Sequence, residues 1–63
     1  MQQLPTVKTT LIDRYTEATY QVYAYRRLIP GEMVQAIAHY LTKNDRVPKA
    51  GAVIEIVTTI GRN

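Results

Sequence analysis

The groups best suited to catalysis are few in this chain: one histidine, no cysteine, and five carboxylates. His39 falls on the polar side of a helical pattern, with no Ser, Cys or second metal ligand near it in sequence, so it reads as an ordinary exposed side chain. Asp13 and Glu17 are spaced to be imagined as an acid/base pair. A turn beside Arg14 is the simpler home for both, because no enclosing pocket is implied that would perturb their pKa values. Gly-rich phosphate loops, zinc spacings, nucleophile elbows and calcium loops are absent from the sequence. These residues predict no catalytic, cofactor-binding or metal site, and a protein that is not an enzyme.

The chemistry that does stand out is adhesive. All five aromatic residues are tyrosines, and three of them lie in the run Tyr20-Gln-Val-Tyr-Ala-Tyr-Arg-Arg27. Tyrosine tolerates half-exposed positions, presenting an apolar ring with a polar tip. In a strand, Tyr20, Val22, Ala24 and Leu28 share one face, and Gln21, Tyr23, Tyr25 and Arg27 the other. The first set suits a core and the second a contact surface. Three readings of the second set stand side by side. It is a protein interface with Tyr and Arg anchors, or simply the lining of a half-buried strand. Alternatively it is a weak platform for single-stranded nucleic acid, with Tyr23 and Tyr25 stacking bases and Lys8 and Arg26 near the phosphates.

The positioning elements follow from periodicity. Residues 6 to 13 are rich in β-branched types and predict a strand, with Val7, Thr9 and Leu11 on one side. After a short connection from Arg14 to Glu17, a second strand is expected over Ala18 to Leu28. Pro30 fits the first turn of a helix and Glu32 its positive dipole end. The helix is expected from Gly31 to Lys43, with Val34, Ile37, Ala38 and Leu41 inward and Glu32, Gln35, His39, Thr42 and Lys43 outward. Asn44 is its expected left-handed terminator. A polar loop leads to Gly51, and Ala52 to Ile60 predicts a last strand with Ile54 and Ile56 on one face and Val53, Glu55 and Val57 on the other. Apolar residues on both faces suggest a central strand, or one covered by a partner.

The resulting fold class is α+β: one β-β-α-β domain over residues 1–63, a three-stranded sheet with one amphipathic helix on one face. A right-handed crossover joins the second and third strands. One helix covers only one face, leaving Tyr23, Tyr25, Arg27, Val53 and Val57 on the other. With Lys8 and Arg26 nearby, these are the candidate partner-binding residues.

Small size favours the same conclusion. Chains of this length bury only about 60% of their unfolded surface, and small scaffolds usually add a disulfide, a metal or a partner. Cysteine is absent and the only histidine is isolated, which leaves a larger protein or a homo-oligomer, with nucleic acid a lesser alternative. The net charge of +3 suits an acidic surface but lacks a dense basic run. Met1 to Pro5 shows no basic region leading into an apolar stretch, and no window approaches a membrane span. A cytoplasmic protein with no membrane association is expected.

Tyr25-Arg-Arg-Leu-Ile-Pro30, a helix, and Ala50-Gly-Ala-Val-Ile-Glu-Ile-Val57 follow in the order seen in the small capping-linker domain family of phycobilisomes. That domain also occurs at the front of some ferredoxin-NADP reductases. The stretch from about residue 20 to 57 resembles this family in having a strand that closes on an Ile-Pro step, then a helix, then a glycine-led strand. Ala50-Gly51 stands where the family has a double glycine, and the loop from Asn44 to Lys49 is about six residues longer. The resemblance implies a non-catalytic plug entering the cavity of an acidic ring-shaped pigment-protein assembly, with Tyr25, Arg27 and Ile29 as contacts.

Overall fold

Three β-branched segments and one helical segment form the elements of a computed structural model that describes residues 4–63. They are β1 (Val7–Ile12), β2 (Thr19–Ala24), α1 (Pro30–Lys43) and β3 (Val53–Val57). Of the N-terminal stretch read for a leader, residues 1–3 lie outside the described residues. β1 and β2 are antiparallel, and β2 and β3 are parallel, with α1 as the crossover between them. The fold is therefore α+β, a mixed sheet of order β1-β2-β3 with one helix. No helix among the described residues is long and apolar enough to cross a membrane.

The β1–β2 hairpin closes through local polar groups. The backbone N–H of Glu17 donates to the Asp13 carbonyl at 2.7 Å, and that of Asp13 to the Ala18 carbonyl at 2.9 Å. Glu17 takes the left-handed backbone at φ 60° that such a loop requires. β2 stops at Ala24, short of the expected Leu28. The chain bends at Tyr25 and Arg26 and returns Leu28 to the core, where its N–H donates to Thr9 Oγ1 at 3.3 Å. β3 is also shorter than expected, although the Thr58 N–H still donates to the Tyr23 carbonyl at 2.9 Å.

Helix α1 starts on Pro30, whose missing N–H costs nothing in the first turn. Its N-cap residue, Ile29, has no side-chain oxygen to offer. Glu32 supplies the other half of the usual arrangement, accepting the Ile29 N–H at 3.2 Å. Termination departs from expectation by one residue. Asn44 has φ −97° and the left-handed position is Asp45, at φ 48°. The Arg46 N–H bonds the Leu41 carbonyl at 3.0 Å and the Asp45 N–H bonds that of Thr42 at 3.3 Å. This pairing places the left-handed residue just beyond the cap, so Asp45 takes it.

The core face of β2 is as the alternation predicts: Tyr20, Val22 and Ala24 are buried, with Leu28 joining them. Ile54 and Ile56 of β3 complete the floor. The buried stripe of α1 is rotated from the expected one. Met33, Ala36 and Ile37 are buried and Tyr40 and Leu41 pack against them, whereas Val34 is 61% exposed and Ala38 is exposed. Both stripes have helical spacing, so periodicity does not choose between them. The helix packs principally over β2 and β3. That offset turns Val34 and Ala38 toward the β1 side, where with Leu11 they line a groove of about 430 Å³.

The placement of β3 decides against one of its two readings, that of a central strand. It is an edge strand, and β2 is the central one. The apolar residues on its second face, Val53 and Val57, are exposed.

Candidate functional site: the open sheet face

Register defines this face residue by residue. Directly paired residues point the same way, so the side opposite the helix carries three rows: Lys8, Tyr23, Val57; Thr10, Gln21, Glu55; and Ile12, Thr19, Val53. Three aliphatic side chains in this array stand open to solvent: Ile12 at 66%, Val53 at 62% and Val57 at 69%. Exposed β-branched side chains at this density on an uncovered face are costly to hydrate.

Tyr23 is the pivot of the array. Its hydroxyl donates to Glu55 Oε2 at 2.9 Å across the β2–β3 pair. That bond, with the nearby carboxylate charge, favours the neutral phenol and raises the Tyr23 pKa. The ring is thus held in place with its proton on. Lys8 is its Cα partner on the other side, so the face carries a cation along β1 and an anion along β3, about two strand spacings apart, or roughly 9.6 Å.

The remaining candidates divide. Tyr25 is half-buried, and Arg62 lies over its ring, with the guanidinium carbon 5.8 Å from the centroid. Arg27 is exposed beyond the end of β2. Arg26 points to the helix start, where its guanidinium forks onto both carboxylate oxygens of Glu32. Its charge is thereby matched within the chain. Ile12, Glu55 and Arg62 were not among the candidates. Ile12 was recoverable, since it alternates with Leu11 in a segment already read as a strand. Arg62 was not, because no local pattern links it to Tyr25.

The Arg26–Glu32 fork makes a testable acid response. The Arg26 hydrogen bonds, with the Ile29 N–H, hold the Glu32 pKa at about 2, against 4.5 for the free side chain. Unfolded chain takes up this proton before folded chain does as pH falls. The contribution is therefore complete above about pH 5 and lost progressively toward pH 2. Acid unfolding followed by circular dichroism should show a shallower loss between those limits for Glu32→Gln than for the parent. Asp13, whose pKa is lowered chiefly by the Tyr15 N–H, remains as a common background in both.

The residues weighed for chemistry lie elsewhere. His39 is exposed and lines, with Gln35, Lys43 and Thr59, an open cleft of about 770 Å³ between α1 and the end of β3. The Asp13 carboxylate accepts the Tyr15 N–H at 2.8 Å inside the hairpin turn. No group of three His, Cys, Asp or Glu side chains able to hold a metal exists among the described residues. Comparison of the chain with protein-family models, with curated proteins and with solved structures returned no match.

Proposed function

We propose that this chain is a non-catalytic protein-binding adaptor, a small regulatory or linker module that docks its open sheet face on a larger protein assembly. The observation that carries the reading is the exposed aliphatic surface of this face, with Val57 beside the hydrogen-bonded Tyr23 at one end and Ile12 and Val53 flanking Thr19 at the other. Tyrosine is among the residue types that contribute most at protein interfaces, and exposed aliphatic surface on the same face gains from being covered. Arg27, exposed past the end of β2, is available to extend the contact, and the net charge of +3 favours an acidic partner surface. An acidic pigment-protein ring, the partner implied by the family resemblance, belongs to that class, with exposed Ile29 as a further contact.

Lys8 beside Tyr23 is the observation favouring the second reading, a weak binder of single-stranded nucleic acid. Glu55, hydrogen-bonded to the same tyrosine, opposes it by presenting an anion where phosphates would pass. Capture from a native extract, read by mass spectrometry, tests the primary reading. Tyr23→Ala and Val57→Asp should each lower recovery of the partner by about tenfold, with Arg27→Ala giving a smaller loss. Circular dichroism of all three should match the parent. Capture unchanged in every variant removes the assigned face. Binding of a labelled oligonucleotide that falls steeply with salt moves the assignment to the second reading.

A further inference from the structure

The open face is complementary to itself. Lys8 and Glu55 occupy the two outer columns, one row apart, and make no ion pair with each other among the described residues. Two copies packed face to face about a two-fold axis parallel to the strands would set β1 of one over β3 of the other. Ile12 then meets Val53 of the second copy, Lys8 lies over Val57, and Glu55 lies over Thr10. Lys8 is one row from Glu55 of the opposite copy, about 6.8 Å along the strand and across an inter-sheet gap of about 10 Å. Both side chains stand up into that gap, which brings the ammonium to the carboxylate oxygen that Tyr23 leaves unused. All of this occurs twice by symmetry.

The alternative two-fold, perpendicular to the strands, keeps the columns and reverses the rows. It sets Glu55 directly on its own copy and Lys8 on the aliphatic row of Ile12 and Val53. Like charges are opposed and a cation is buried without a partner, so this arrangement is disfavoured.

Resting on the reading of this face as the docking surface, we propose that it is occupied in the free protein by a second copy of the chain, in a two-fold, strand-aligned sandwich. The face is small, three strands of five or six residues, and well under the roughly 800 Å² per partner of a standard stable interface. The dimer is accordingly weak and concentration-dependent, able to yield the face to a larger partner. Ion pairs at its edges make it weaken with added salt.

Analytical ultracentrifugation of the purified chain from about 10 µM to about 1 mM, at low and high salt, tests this. Mass should rise toward twice the monomer and stop there. Lys8→Glu and Glu55→Lys should each weaken self-association by about tenfold. An equimolar mixture of those two variants should recover it, since each supplies the charge the other lacks. The double variant Lys8→Glu/Glu55→Lys should recover it as well, because the axis exchanges the two columns. A monomer at every concentration, growth past the dimer, or a mixture no tighter than its components overturns the proposal. A monomeric result alongside capture of a larger partner that still depends on Tyr23 and Val57 would sink the dimer and keep the docking face.

Discussion

Ile56→Ala should lower the free energy of unfolding by about 3 kcal/mol, while Val57→Ala, at the next position, should change it by less than about 0.5 kcal/mol. Ile56 is 3% exposed beneath α1 and in the core cluster with Val22 and Ile54. Removing its outer carbons leaves a cavity that a single helix and three short strands are poorly placed to collapse around. Val57 points to the open side, so truncation there removes surface already in water. A chain of this length has a total stability of roughly 3–9 kcal/mol, so the first substitution removes about a third of it or more. Urea titrations that give equal slopes with separated midpoints would establish the effect. Similar costs at both positions would mean that β3 is covered on both faces within one chain. A costly Val57 with a tolerant Ile56 would reverse the assignment of faces altogether.

A pair of glycines gives the second large contrast, with opposite signs. Gly61→Ala is expected to destabilise by about 2 kcal/mol, and Gly31→Ala to stabilise by about 0.5 kcal/mol. Gly61 has φ +85°, and a Cβ there would lie 2.6 Å from Arg26 Cγ. That carbon is near the root of the side chain, so relief requires moving the guanidinium off Glu32. The strain at Gly61 thus spreads to the helix start through the Arg26–Glu32 fork. Gly31, within the first turn of α1, has nothing within 4 Å of its would-be Cβ. Alanine there reduces the freedom of the unfolded chain and improves helix propensity. Thermal unfolding of the two variants checks both signs. A Gly61→Ala protein as stable as the parent would show that the tail from Thr58 to Arg62 is not held against Arg26.

The two contrasts rest on different kinds of knowledge. The split between Ile56 and Val57 was legible before any coordinates, as was that between Val22 and Tyr23, because side chains alternate along any extended segment. Pro30 and Glu32 marked the start of α1 for equally local reasons, a fixed φ and a dipole. Where two local patterns fitted equally well, sequence could not decide. The stripes through Val34 and through Met33 share Ile37 and Leu41, and only the offset of α1 over β2 and β3 selects the second. Asn44 and Asp45 both tolerate left-handed backbone, and the hydrogen bonds to Leu41 and Thr42 chose Asp45.

What the amino-acid sequence determined alone is which residues of each segment face together, since backbone geometry sets that within a few neighbours. The tertiary structure decided which segments lie side by side. It put β2 at the centre and β3 at an edge, turned Arg26 onto Glu32 and Arg62 onto Tyr25, and aligned Lys8, Tyr23 and Val57 in one row. Those juxtapositions join residues far apart in the chain. They depend on how the loops close and how the core packs, which no stretch of local pattern encodes.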